Sequence, residues 1–421
     1  MSTQDENKTL ADYNFLEPAT QSDPYDFYEK AHNECPVYEI PGMGVYMVTK
    51  YDDLRQVLKD TEAFSSDNSR SAGASMQASG VMAQYHQGLA ERGWSHVSTL
   101  QRTDPPIHSR YRKLLDRVFT GKRVRGMVDY IDGVAHELID NFIDKGSCDF
   151  IDDFAMPMPG IIIAEQLGLD RKDVKTFKQW ADAMLAGSGM PMDEEQMRAT
   201  LEIELEAQHF LAEVFEERRK NPTDDLMSGL VHAHGDDEEP LTMHELQNLM
   251  HQLITGGYET TQSAIAHGMW LLVRQPELQD MLRNEPEKMK KFIEESLRWE
   301  SPVQGLTRTT TREVELNGTT IPANSPVIVR YGAANRDAEM FECPHQFDID
   351  RKNAGAHMAF GSGAHFCVGA MLARQEMASS FTALLDRMDD IKLAQPLADP
   401  VHEPSMFFLP IKHMHLAFNK R

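Results

Sequence analysis

Basic residues are scarce in this chain. Lysine and arginine number 42 against 66 acidic side chains, for a formal net charge of −24. A surface that acidic repels phosphate backbones, so nucleic acid and anionic membranes are not expected partners. Cysteine is scarcer still. Cys35, Cys148, Cys343 and Cys367 are the four in 421 residues, without C-x-x-C spacing, which excludes a disulfide framework and fits a reducing compartment. No apolar run approaches the 18 or so residues that a membrane span needs. The polar stretch Met1 to Leu10 lacks the apolar segment of a signal peptide, so a cytoplasmic, unanchored protein is expected. Neither H-E-x-x-H nor a P-loop nor a dinucleotide-binding glycine fingerprint in a strand–helix setting is present, which argues against a zinc protease and against a fused reductase.

The composition that remains is that of a folded chain, 41% hydrophobic and 26% charged, long enough to enclose a cofactor. Neither internal repeats nor a low-complexity linker divides it, so one domain over 1–421 is expected. The nearest thing to a linker, the Ser-, Ala- and Gly-rich stretch Ser65 to Ser79, reads as a loop within that domain. Apolar residues at three- and four-residue steps predict helices over 124–145, 171–186, 194–220 and 368–388. The strongest pattern, 243–274, opens on a capping box of Thr242 and Glu245 and stops before Pro276. At about 1.5 Å per residue such a helix crosses a whole domain. It carries Gly256-Gly257 at its middle, a cost of roughly 1–2 kcal/mol against alanine that calls for a compensating role. Another helix spans about 286–299. Strand-like sequence follows, with Asn317-Gly318 as a hairpin turn. The architecture is mainly α with small β-sheets.

The most informative run is Phe360-Gly361-Ser362-Gly363-Ala364-His365-Phe366-Cys367-Val368-Gly369. It places a cysteine in a glycine-rich loop directly before a helix. Exposed N–H groups and the helix dipole there are expected to lower the thiol pKa and to tune a metal-bound thiolate. The run resembles the F-x-x-G-x-[HR]-x-C-x-G pattern of the cytochrome P450 family, filled by Phe360, Gly363, His365, Cys367 and Gly369. Two further motifs extend the resemblance. Glu295-Ser296-Leu297-Arg298 matches the family's E-x-x-R, which locks with a later arginine, and Gly256-Gly257-Tyr258-Glu259-Thr260-Thr261 matches [AG]-G-x-[DE]-T-[TS] on the long helix. Ala334-Asn335-Arg336-Asp337, Phe341, Pro344, Phe347-Asp348 and Arg351 fill the stretch between E-x-x-R and the cysteine.

The resemblance implies the P450 fold, with haem b (iron protoporphyrin IX) between the long helix and the cysteine loop and Cys367 as the ligand to iron. Gly256 would leave room for the haem and dioxygen, and Phe360 and Gly361 would line the cofactor. Cleavage of dioxygen consumes two protons, and an acid beside an alcohol, Glu259 and Thr260, is what that step needs. The haem carboxylates need cations. Asp104-Pro105-Pro106-x-His108-x-x-x-Arg112 supplies His108 and Arg112, and Arg308 and His365 match two others; arginine suits a carboxylate in a bidentate fork.

The run Arg102 to Arg125 is a basic island in an acidic chain. Family likeness implies a ferredoxin, with its reductase, as electron donor, docking near Arg110, Arg112, Lys113 and Arg117, where complementary charge raises the on-rate. The expected activity is insertion of one oxygen atom of O2 into a small-to-medium apolar substrate (a terpenoid, a steroid or an aromatic) by hydroxylation or O-dealkylation, in a monomer. A peroxide-driven peroxygenase and a non-catalytic haem sensor or carrier are the alternatives. By analogy the substrate pocket draws on Met76–Trp94, Ala186–Met192, Leu253, Gly256, Val303–Leu306 and Met406-Phe407-Phe408, where methionine and phenylalanine make an adaptable apolar lining.

Overall fold

A computed structural model describes residues 9–70, 80–168, 174–186, 193–234, 239–395 and 402–421. Its longer helices are α1 (Tyr25–Glu34), α2 (Tyr51–Lys59), α3 (Val81–Arg92), α4 (Ile107–Val118), α5 (Val128–Asp140), α6 (Pro157–Gln166), α7 (Val174–Ala186), α8 (Glu194–Lys220), α9 (Met243–Arg274), α10 (Glu277–Asn284), α11 (Met289–Trp299) and α12 (Ala370–Arg387). The region 124–145, which the periodicity joins, is divided at Met127. A short helix, Gly121–Gly126, ends there and α5 begins, and Ile143–Lys145 forms a separate 3-10 turn. Glycines at 121, 126 and 133 weaken helix continuity in that stretch. The segment 286–299 opens with one 3-10 turn, Pro286–Lys288, before α11.

α9 is the axis of the molecule. Thr242 accepts from the Glu245 N–H at 3.3 Å while Glu245 Oε2 accepts from the Thr242 N–H at 2.8 Å, so the capping box is closed. The C-terminal half of the helix is buried nearly all round, from Thr261 to Leu272. There it joins the main core with α5, α11 and α12, including Phe292, Phe381 and Leu384. Its N-terminal half packs on α4, α6, α7 and α8 in a second core around Phe177, Phe215 and Met250. α9 and α12 touch where Gly268 faces Phe381; a Cβ on Gly268 would lie 2.3 Å from that ring. Glycine is what permits this approach.

The β part is small. A sheet of order β1-β2-β8-β5-β3 joins Val37–Ile40, Val45–Val48, Pro326–Val329, Leu306–Thr310 and Phe64–Ser65, with only the β2–β8 pair parallel. A second sheet, β4-β10-β9, joins Ser147–Asp149, His415–Lys420 and Met388–Leu393. The hairpin β6 (Val314–Leu316) and β7 (Thr319–Ile321) turns at Asn317 and Gly318, both at positive φ, as a two-residue turn with Asn-Gly requires.

Candidate active site

The scaffold of the site is a buried ion pair. Arg298 grips Glu295 with two hydrogen bonds, at 2.7 and 2.8 Å, and both side chains are fully buried. Arg351 adds a third contact to Glu295 at 3.0 Å. Arg298 also donates to the carbonyls of Asn335, Pro344 and Gln346. One turn of α11 thereby fixes the coil 335–351, and Asn335 Oδ1 accepts from the Met358 N–H at 2.7 Å, carrying that order to the start of the cysteine loop. A buried pair is tolerable only when its remaining donors are satisfied in this way.

In the loop, Gly361 and Gly363 sit at φ of 69° and 72°, values open to glycine at little cost. A Cβ on Gly363 would meet the carbonyl oxygen of Leu58 at 2.6 Å, so the loop lies directly on the end of α2. The Cys367 N–H donates to the Phe360 carbonyl at 3.0 Å, closing the turn. Arg112 of α4 donates to the Phe366 carbonyl, and Arg374 covers the Phe360 ring at 4.4 Å while pairing with Glu294 at 2.6 and 2.8 Å. Glu294, which also lies 3.2 Å from His357, stands beside Glu295 on α11 but outside the E-x-x-R spacing, so no motif marks its pairing with Arg374.

The Cys367 thiol departs from expectation. Burial pushes its pKa up and outweighs the opposing pull of the Gly369 and Ala370 N–H groups and of Arg112 and Arg374. The N–H donors of the helix terminus are in place, but desolvation of a thiolate is the larger effect in a free thiol. A coordinated metal ion removes that proton outright.

The cationic residues come together. The His108 and His365 rings lie 4.2 Å apart, and Arg112 and Arg308 both bear electrostatically on the two. Burial, then Arg308, His108 and Arg112, hold His365 down at about 3, and burial followed by Arg112 lowers His108. The buried His108 Nε2 has no hydrogen-bond partner. Arg308, 5% exposed, donates only to the neighbouring Thr307 carbonyl, and among the ion pairs of the described residues none involves it. An orphaned buried nitrogen and an unneutralised buried guanidinium are a poor design for a protein by itself and a good one for binding a dianion. The residues present therefore fit the two carboxylates of a haem. His365 Nε2 is also 3.0 Å from Ser66 Oγ, and Asp104 accepts from the Ser66 N–H at 2.9 Å, which ties the D-P-P segment to the same place.

On α9, Thr260 Oγ1 donates to the Gly256 carbonyl at 2.6 Å. The two odd glycines have different roles. A Cβ on Gly256 would meet nothing within 4 Å, whereas one on Gly257 would lie 2.7 Å from Ile163 Cδ1 of α6. Gly256 thus faces an open space and Gly257 permits helix packing. Tyr258 faces away from that space: it is 4% exposed, edge-on to Phe177, and packs on Gly160. Burial, then Asp182 and Glu403, raise the pKa of Glu259, so it keeps a proton more readily than an ordinary carboxylate. Asp182 and Glu403 come from distant segments and no local pattern marked them.

Parts of the expected pocket, 76–79 and 187–192, lie outside the described residues. Val303 bridges to Phe408, and the Gln304 N–H donates to the Phe407 carbonyl at 2.8 Å, so the two later pocket segments do lie side by side. Met406 and Phe407, however, pack on the N-terminal aromatic cluster of Phe15, Phe27 and Tyr28. In the basic island, Arg110 is turned to Glu245 at 2.6 Å and Arg117 to the His234 carbonyl at 2.9 Å, while Lys113 is exposed.

The cytochrome P450 family model matches residues 13–418. The chain belongs to the cytochrome P450 family, and its architecture is the P450 fold. It is a haem-dependent monooxygenase whose cofactor is iron protoporphyrin IX. Similar proteins include 6-deoxyerythronolide B hydroxylase of Saccharopolyspora erythraea, 33% identical over 93% of this chain and 95% of the relative. The monooxygenase PikC of Streptomyces venezuelae is 33% identical over 95% and 92%. Among solved structures, CYP109Q5 from Chondromyces apiculatus superposes with a TM-score of 0.84 at 31% identity, covering 98% of this chain and all of that one. CYP109E1 from Bacillus megaterium in complex with corticosterone gives 0.82 at 29% identity, over 95% of this chain and 100% of that one. No described helix is long and apolar enough to cross a membrane.

Proposed function

We propose that this enzyme hydroxylates an apolar ring compound of terpenoid to steroid size, or O-dealkylates one whose target carbon adjoins an ether oxygen. The observation that carries this reading is the Gly256–Thr260 turn of α9, which sets an open space beside an alcohol and a proton-holding acid. Cys367 would be the metal ligand, His108, Arg112, Arg308 and His365 would hold the cofactor's carboxylates, and Phe360, Gly361 and Gly256 would line its pocket. When bound, the haem supplies the centre at which dioxygen is reduced and one oxygen atom passes to a substrate carbon. The second oxygen leaves as water, which takes up two electrons and two protons. Glu259 holds a proton because burial and the Asp182 and Glu403 carboxylates oppose its ionisation. Thr260 turns its hydroxyl from the Gly256 carbonyl to pass a proton on, and Glu259 refills it. This acid–alcohol pair favours dioxygen over peroxide as oxidant and favours catalysis over a sensor role.

Two relatives support the size class: one is named as a hydroxylase of 6-deoxyerythronolide B, the other was solved with corticosterone. The electron donor is a small acidic ferredoxin. It docks on the face where Phe366 and Met371 are exposed, at 42% and 47%, using Arg112, which donates to the Phe366 carbonyl, and the exposed Lys113 and Arg117 of the same helix. Arg110, held by Glu245, has a smaller part. The protein acts as a cytoplasmic monomer of one domain. Titration of the ferric protein with steroids, terpenes and alkyl aryl ethers tests the class. A shift to high spin, followed by a product one oxygen heavier (or dealkylated) in the presence of ferredoxin, its reductase and O2, is expected. Product formed from peroxide alone, at equal rate in Thr260→Ala, contradicts the reading.

A further inference from the structure

We propose that His96, Glu204 and His251 form a binding site for a divalent transition-metal ion of the zinc class, separate from the Cys367 centre. The three side chains come from distant parts of the chain: the coil after α3, the middle of α8 and the N-terminal half of α9. One ligand atom from each lies within 4.8 Å of the other two. Two imidazoles and a carboxylate are a donor set that zinc uses with a water in the fourth position, and imidazole donors also suit copper and nickel. His96 Nε2 is already 2.8 Å from Glu204 Oε1, and the His96 and His251 rings are 5.3 Å apart. The site is built rather than accidental. Glu204 is 1% exposed, and its other oxygen accepts from the Tyr85 hydroxyl. Gln208 donates to Glu204 Oε1 at 3.4 Å and is itself fixed by both backbone groups of Trp94, at 2.8 and 3.1 Å. The Met184 backbone lies close enough to bear on the His251 ring. A neutral imidazole that donates one N–H keeps a lone pair on its second nitrogen. Such outer bonds orient metal ligands in known sites. His96 is about one-third exposed, which gives an ion a way in.

A bound ion would clamp the coil 93–99 and α8 to α9 five residues before Gly256. On the reading of that turn as the oxygenation site, the clamp narrows access to it; the metal site itself does not depend on that reading. Haem-loaded protein, stripped with chelator, is titrated with zinc sulfate against a chromophoric competitor, with metal content read by mass spectrometry. One zinc per chain is expected, beyond the haem iron. His96→Gln and His251→Ala should each weaken binding by at least about tenfold, while the carbon monoxide spectrum stays that of the parent protein. His413→Ala, in an exposed cluster with Asp149 and Asp152, should leave affinity unchanged. Absence of zinc binding, binding indifferent to both His96→Gln and His251→Ala, or binding that follows His413 instead would overturn the proposal.

Discussion

The Thr260 hydroxyl donates to the carbonyl oxygen of Gly256 across 2.6 Å, in a turn of α9 where a Cβ on Gly256 would meet nothing within 4 Å. A threonine that bonds back four residues competes with the helix's own N–H for that carbonyl and opens the turn. Thr260 follows Glu259 directly in the chain, so on the proposed function opening and proton supply are one device.

Removing the hydroxyl separates the two. In Thr260→Ala, electron uptake should persist while product per electron falls by roughly tenfold or more and hydrogen peroxide rises, since positioned acid–base groups contribute factors of 10² to 10⁴. Thr260→Ser should keep most of the coupling. Parallel assays of product, peroxide and reductant decide it; unchanged coupling in the alanine variant removes Thr260 from the mechanism.

The glycines of α9 should respond in opposite ways. Gly268→Ala drives a methyl group into the buried Phe381 ring, 2.3 Å away, and overpacking of this kind costs about 1–3 kcal/mol. Gly256→Ala meets no protein atom, and helix propensity favours it by up to about 1 kcal/mol. Its penalty should appear instead as weaker binding of bulky ligands. Thermal unfolding and ligand titration of the two variants give the comparison.

The Glu295–Arg298 pair has no exposure. Glu295→Gln leaves Arg298 and Arg351 without their carboxylate, and breaking a buried pair by removing one partner costs about 3–5 kcal/mol. The coil 335–351 should loosen and haem retention fall. Pulse proteolysis should show new cleavage between Asn335 and Arg351; a variant as protected as the parent would show that the carbonyl contacts of Arg298 suffice.

Acid stability follows from two carboxylates. Burial opposes ionisation of Glu294 and Glu300, but Arg374 and His357 for the first, and His267, His402 and Arg336 for the second, hold both down at about 2, below the usual 4.5. Each is lower in the folded chain than in the unfolded one, so its stabilisation is complete above about pH 4.5 and is lost as pH falls towards 2. Urea midpoints should drop steeply between pH 4.5 and 3, and less steeply in Glu294→Gln and Glu300→Gln.

The helices α8 and α9 are legible in the sequence to the residue, because a capping residue and an uninterrupted apolar period both mark them. Asp193 caps α8, Thr242 caps α9, and Pro276 follows the end of α9. The break at Met127 is marked in the sequence only by Gly126 beside it, since apolar spacing continues across it. At the site, Cys367, Thr260 and the Glu295–Arg298–Arg351 group are marked by spacing within short motifs, and the structure brings His108, Arg112, Arg308 and His365 to one place. Asp182, Glu403 and the His96–Glu204–His251 group are brought together only by tertiary packing, and no periodicity predicts that. The Cys367 thiol shows the complementary failure: its donors are visible in sequence, while the burial that outweighs them depends on everything packed around it.

The central claim, that Cys367 is the ligand to iron, is tested most directly by the carbon monoxide difference spectrum of the reduced, haem-loaded protein beside that of Cys367→Ser. Thiolate pushes electron density onto the iron. The account predicts a strongly red-shifted Soret band for the parent protein and its loss in the serine variant with haem still bound. A parent protein without that shift, or a serine variant that keeps it, would contradict the assignment.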